Sequence, residues 1–336
     1  MFSTNVIAMN KKLCMAMLMA TGMGGALAQS SVSIYGLIDM GLAQRYQSDA
    51  LLLDSSYNAT SVFGFRGSED LGGGLRLNFQ LEGGGFAPDT GAWTKGFDRQ
   101  SWIGLSGGFG TVMMGRTTTP QNRIMSEYDL NNTAPASSPL KLLGMAANAA
   151  LVDARQSNQI QYASPKLGGF TARVAYAMSE VSDGSKKNFL QLAANYKSGG
   201  LSLGAAFQPR ALAGQLTANN ANHQGGYMLG AKYDFGPLEA SAMYTRNEKK
   251  TEGNGVGLGI AAPFGAWKLG AQYARITKMD NGAQGKGAAA FELFAKYTLS
   301  KRTYLYGTVG GANEKARQFS KLSEKNTFAL GLVHRF

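Results

Sequence analysis

One cysteine, Cys14, and two histidines, His223 and His334, are all that the 336 residues offer of the side chains most used in nucleophilic and metal chemistry. No C-x-x-C, H-E-x-x-H or P-loop spacing occurs. Neither histidine belongs to a recognisable constellation with an acid and a nucleophile, so no catalytic residue, metal ligand or cofactor is expected. Proline is scarce, at 8 residues, and no Pro/Ser-rich linker or shift in composition divides the chain. After Ala28 no run of 18 or more apolar residues appears, which excludes a membrane-crossing helix there. Lysine and arginine never occur five in a row. They stand singly between apolar residues, which argues against a nucleic-acid arm and against nucleic acid as a partner.

The N-terminus indicates the compartment. Lys11 and Lys12 precede the apolar run LCMAMLMATGMGGALA, which closes on Ala26-Leu27-Ala28. A charged region, an apolar region and a small-residue site in that order predict a secretory signal peptide over residues 1–28, cut after Ala28. Met9-Asn10-Lys11-Lys12 reads as an alternative start. Cys14 leaves with this segment, as do two lysines, so the formal charge of +12 falls to about +10 in a mature chain of about 308 residues. An exported chain without disulfides is stabilised by other means.

What the mature chain has in abundance is glycine and aromatic residues: 45 Gly, 14 Tyr and 17 Phe. Glycine at that density disfavours helix interiors, and aromatics suit pleated surfaces. Strict alternation is clearest in LRLNFQLE, where Leu75, Leu77, Phe79 and Leu81 interleave with Arg76, Asn78, Gln80 and Glu82. In SVSIYGLIDMGLA, Val32, Ile34, Ile38, Met40 and Leu42 oppose Ser31, Ser33, Tyr35 and Asp39. Sixteen such segments run from there to NTFALGLVHRF. Period-two patterning predicts strands with one greasy and one wet face.

The connections alternate between short turns, such as GSEDLGG, GGFG and KSGG, and longer polar stretches near residues 45–60, 84–97, 117–154 and 209–224. Short turns at one end and long loops at the other point to an all-β fold: a transmembrane 16-stranded antiparallel up-and-down β-barrel over residues 29–336. Such a barrel must close, because an unpaired edge in lipid leaves backbone groups unsatisfied. The last segment, ending on Phe336, should therefore pair with the first. Outward Tyr162, Tyr196, Tyr244 and Phe336 suit interfacial girdles.

SSVSIYGLIDMGL, FGFRGSEDLGGGLRLNFQLE, RQSWIGLSGGFGTVMMGR, QYASPKLGGFTARVAYA, YTLSKRTYLYG and the terminal HRF cover the mature chain. On these stretches the sequence resembles the general diffusion porins of Gram-negative bacteria, nearest their beta-proteobacterial branch. The resemblance implies a homotrimer in the cell outer membrane, in contact with lipid and lipopolysaccharide. It implies insertion by the barrel-assembly machinery, with Phe336 as the assembly signal. It also implies a third loop, about residues 117–153, folded inward to narrow a channel for small hydrophilic solutes and ions. The Ala-rich LLGMAANAALV within that loop suits a short helix.

In the family, wall arginines face acids of loop three across the constriction. The resemblance carries Arg99 and Arg155 onto that wall, with Arg76 and Arg116 on adjacent strands joining it. Arg76 is lumen-facing by its own alternation, whereas for Arg99 and Arg116 the alternation is ambiguous. Glu127 and Asp129, in MSEYDLNN, are the candidate acids. Family members often carry an arginine two residues before the Gly of GF(K/R)G, and this chain has Val62. More wall cations than loop anions predicts a modest anion preference. A substrate-specific pore would need a continuous aromatic slide, and lumen-facing aromatics are sparse, with Tyr35 the clearest. The signal segment and closed strand count oppose a soluble sandwich.

Overall fold

The computed structural model describes residues 31–143, 154–180, 188–209, 225–247, 253–279 and 285–336. The proposed signal segment 1–28, His223 and residues 144–152 of the Ala-rich piece LLGMAANAALV lie outside them.

Each alternating segment forms a strand. In order these are β1 (Ser31–Gln44), β2 (Leu51–Ser55), β3 (Val62–Gly72), β4 (Leu75–Gly83), β5 (Phe86–Ala87), β6 (Ala92–Trp93), β7 (Gln100–Gly107), β8 (Gly110–Thr118), β9 (Arg155–Ala163) and β10 (Phe170–Ala177). They continue as β11 (Phe189–Ser198), β12 (Leu201–Gln208), β13 (Gly226–Asp234), β14 (Glu239–Asn247), β15 (Gly253–Phe264), β16 (Trp267–Met279), β17 (Ala289–Ser300), β18 (Thr303–Ala312) and β19 (Asn326–Arg335). Among the described residues three helices, α1 (Pro120–Tyr128), α2 (Pro139–Leu142) and α3 (Glu314–Ser320), lie in the long connections.

Sixteen of the strands are the staves of a closed antiparallel barrel, each paired with its neighbours in sequence. The short β2 is a supernumerary strand beside the end of β1, and β5 and β6 form a hairpin of their own. The wall closes between β1 and β19, from Leu37 opposite Arg335 to Gln44 opposite Phe328. Beyond that ladder, Gly36 and Phe336 exchange both backbone hydrogen bonds at 3.1 Å, and the Phe336 ring lies where a side chain on Gly36 would stand. Closure leaves no unpaired edge for lipid to meet.

The two faces separate as alternation requires. Ile34, Leu258 and Leu330 are more than half exposed on the outer face, while Asp39, Gln191 and Glu292 on the opposite face are fully buried. A surface that is apolar outside and polar inside is the inverse of a soluble core, and hydrocarbon is its solvent. The hairpin expected over GSEDLGG is tighter than the sequence suggests. Residues 67–72 remain in β3, and Gly72, Gly73 and Gly74 reverse the chain with φ of 84°, 61° and 79°. Only glycine enters that region without strain, and three in succession allow the ladder to run almost to the tip.

Candidate functional site

The segment after β8 does not leave the barrel mouth. Thr119 caps α1, its Oγ1 accepting from the Asn122 amide at 3.4 Å, and Pro120 fills the first helical position, where an amide would go unbonded. Gln121, Ile124, Met125 and Tyr128 form the buried face of α1. That face packs on β10 to β14. Gln121 and Gln191 of β11 exchange two hydrogen bonds, at 3.2 and 3.0 Å. Tyr128 lies over Gly204 and Gly230 and meets Ser202 through its hydroxyl at 3.2 Å. A Cβ on Gly204 would stand 2.6 Å from the Tyr128 ring, so the helix can approach only where the wall lacks side chains.

Past α1 the chain crosses to the other staves. The Leu130 amide donates to Gln272 Oε1 at 2.8 Å, and Asn131 Nδ2 donates to Glu292 Oε1 at 2.7 Å. Ser137 donates to Glu292 and takes a bond from Thr308 at 2.7 Å. The Ala136 amide donates to the Tyr57 carbonyl at 3.0 Å. A segment that holds β11 at one end and β18 at the other bridges separate arcs of a closed wall, and only the interior offers that path. The helix expected at LLGMAANAALV falls mainly on residues outside the described ones; among the described residues the loop forms a helix at Pro120–Tyr128 and a short turn at Pro139–Leu142. The Thr-Pro start signal is the physical reason for α1.

The charged residues divide by partner. Arg76 stands at the turn end of β4, 3.7 Å from Asp70, with about 20 Å of strand between it and Glu82. The structure therefore does not bring Arg76 to the loop. Arg99 precedes β7; its amide donates to the Glu82 carbonyl at 2.9 Å and its Nε to Glu82 Oε1 at 2.7 Å. Glu82 also accepts from Tyr35 at 2.9 Å, and Tyr35 from Gln80 at 2.6 Å. Arg116 sits at a bulge, where the register with β9 shifts between Gly115 and Thr117. Its guanidinium bridges the Asp98 carbonyl and Ser157 Oγ, the latter at 2.8 Å. The bulge explains why alternation could not assign Arg116 a face.

Arg155 is different. It lies within electrostatic range of Arg99, Glu82, Asp98 and Arg116, yet its Nε is buried with no hydrogen-bond partner among the described residues. Two arginines that the sequence reading passed over join it around one recess: Arg123 on α1 and Arg173 on β10. Alternation in FTARVAYA gives Arg173 the polar parity of Thr171, and the Thr119-Pro120 start would have placed Arg123 on a helix, so both signals were present. Burial, and then the like charge of Arg173, push the Arg123 guanidinium down to about 10, leaving it cationic at neutral pH. Desolvation by the surrounding protein also holds the Lys141 ammonium below the ordinary lysine range; Asp129 opposes the shift, while Arg99 and Arg155 add to it.

The loop acids are occupied. Glu127 pairs with Lys197 at 2.6 Å and Lys232 at 3.7 Å, both on the wall. Asp129 is buried against the wall, accepting from Ser138 at 2.6 Å, the Asn131 amide at 2.9 Å and Gln272 at 3.1 Å. Both anchor the loop, and neither forms an ion pair with Arg123, Arg155 or Arg173. Val62, buried opposite Leu37, adds no charge to that cluster.

Comparison with known proteins gives a consistent result. A family profile described as Gram-negative porin matches residues 15–317. The chain is 32% identical over 342 residues to outer membrane porin protein 32 of Delftia acidovorans, covering 96% of this chain and 95% of that one. It is 26% identical to an outer membrane porin protein of Bordetella pertussis, across 98% and 100% of the two chains. Among solved structures, an anion-selective porin from Comamonas acidovorans superposes with a TM-score of 0.74 at 28% identity, covering 92% of this chain and all of that one.

Proposed function

This chain belongs to the Gram-negative porins and is an outer-membrane porin rather than an enzyme, and on that premise we propose a general diffusion pore with an anion preference. Small hydrophilic solutes and ions pass by size and field, with no covalent step. The observation that carries the anion preference is the inequality of compensation at the loop. Arg123, Arg155 and Arg173 make no ion pair among the described residues, whereas Glu127 and Asp129 are held by Lys197 and by buried hydrogen bonds. A permeating anion therefore meets positive charge that fixed carboxylates offset only in part, Glu82 and Asp98 acting on Arg155 alone of the three, in a narrow passage where screening is weaker than in bulk. The field is one-sided: it comes from cations on the wall and on α1, in place of arginines opposed by loop acids. The solved relative named anion-selective supports the same reading.

The same premise supports a homotrimer, delivery by a cleaved signal segment at residues 1–28, recognition of Phe336 by the barrel-assembly machinery, and contact with lipopolysaccharide at the outer rim. Planar-bilayer reversal potentials across a salt gradient test the preference. A reversal potential on the chloride side supports it, and clear cation selectivity overturns it.

A further inference from the structure

Three arginines, Arg123, Arg155 and Arg173, line one recess of about 510 Å3 from a helix and two wall strands, with Arg123 and Arg173 close enough to repel one another. Lys197 and Glu127 also line it, and they neutralise one another at 2.6 Å. The recess therefore has three arginines without an ion pair among the described residues, and of these only Arg155 lies in range of further acids, Glu82 and Asp98. Like charges gathered this way repel, and the Nε donors of Arg123 and Arg155 are buried with no hydrogen-bond partner among the described residues. An unmet buried donor is costly, and a charged one more so. Neither arginine does the anchoring work that Gln121, Tyr128 and Asn131 perform for the loop, so fold maintenance does not account for the arrangement. Thr171 and Asn195 add further hydrogen-bonding groups to the lining.

We propose that this recess is a saturable binding step for a doubly charged tetrahedral oxyanion, inorganic phosphate or a phosphate monoester, on the path through the pore. A guanidinium presents parallel N–H groups that match a pair of oxygens. Chloride offers no such pair and one charge only. A planar carboxylate suits a single fork, whereas a tetrahedral oxyanion has enough oxygen directions for three forks arriving from different elements. The site deepens the anion-preferring reading, on which it rests, by naming the class of anion that is held and not merely passed.

The test is chloride conductance of the purified pore in planar bilayers at about pH 8, where phosphate is dianionic. Inorganic phosphate is titrated at constant chloride and ionic strength, with glycerol phosphate as the monoester arm. The expected result is a saturable fall in chloride current in one arm or both, the arms showing which source is bound. In the Arg123→Ala/Arg173→Ala double variant the half-blocking concentration should rise at least about tenfold, as expected when two charge-assisted forks are lost. Arg173→Gln, which leaves α1 untouched, supplies the same comparison if the double variant does not assemble. Absence of saturable block in both arms, or the same half-blocking concentration in the variants, overturns the site. Reversal potentials in phosphate-free chloride gradients, read on the wild type, separate the two failures. An anion-preferring pore without phosphate block loses only the site; a cation-preferring pore loses the reading beneath it.

Discussion

The Glu127 carboxylate lies 2.6 Å from the Lys197 ammonium and 3.7 Å from that of Lys232. Loop and wall are thereby joined by an ion pair at the place where the family pattern suggests an acid facing arginines across open water. The pair is partly exposed, so its contribution to stability is small, on the order of 0.2–1 kcal/mol. Its consequence for the local field is larger, because it neutralises the one acid among the described residues that lines the same recess as Arg155, Arg123 and Arg173.

Glu127→Gln therefore frees two lysines and should strengthen the anion preference. One unit charge about 7 Å from a permeating ion is worth about 0.6 kcal/mol in a water-like dielectric, which is roughly a two- to threefold change in permeability ratio. Reversal potentials read this directly, and a shift toward cations would contradict it.

Arg99→Glu combined with Arg155→Glu should move the pore toward cation selectivity while leaving the barrel assembled. Arg99→Glu places a second carboxylate beside Glu82, whose present partner is Arg99 at 2.7 Å. Unchanged permeability ratios in a heat-modifiable, folded variant would place both residues outside the narrow zone.

Lys141 gives the preference a pH dependence. The residue is exposed at the surface of the loop, yet its ammonium is held below the ordinary value of 10.5, chiefly by desolvation from the surrounding protein. The positive charge is present below that lowered value and is lost as pH rises through it. Anion preference should thus weaken in an alkaline window that opens below pH 10.5, and Lys141→Met should abolish that step. Reversal potentials recorded between neutral and alkaline pH measure the window.

Gly230→Ala puts a methyl group into the Tyr128 ring. Overpacking of this kind costs about 1–3 kcal/mol unless the ring withdraws. Withdrawal moves α1 into the lumen, so single-channel conductance should fall while the chloride-to-potassium ratio holds. The converse change, Tyr128→Ala, releases the helix and should raise conductance.

Gly36→Val collides with the Phe336 ring at the seam between first and last staves. The two backbone hydrogen bonds joining Gly36 and Phe336 should weaken with it, lowering the temperature at which the barrel converts to the slow-migrating unfolded band. An unshifted transition would mean that the seam is held by the Leu37–Gln44 ladder alone.

The barrel was legible because its staves are long, amphipathic and separated by glycine-rich turns; Leu75 to Glu82 display the period without interruption. Sidedness followed from the same alternation wherever the ladder is regular. It failed at Arg116, because a bulge inserts a residue that period-two counting does not register, and Arg99 lies just before its strand begins. The interior was harder to read. Which cations keep their charge uncompensated depends on partners distant in sequence, such as Lys197 for Glu127 and Glu82 for Arg99. Asp129 reads as a free loop acid until Ser138 and Gln272 close around it. Local pattern carries the wall, and tertiary pairing carries the field.

Gly204 and Gly230 have a wider consequence. They lie behind the Tyr128 ring, on the side of the loop turned away from passing solutes, and they bear no charge. The calibre of the passage is thus adjustable from a concealed position, methyl by methyl, without disturbing the arginines that choose between ions. Sieve and sorter are separate controls in this protein. A survey confined to channel-lining side chains would find only the second.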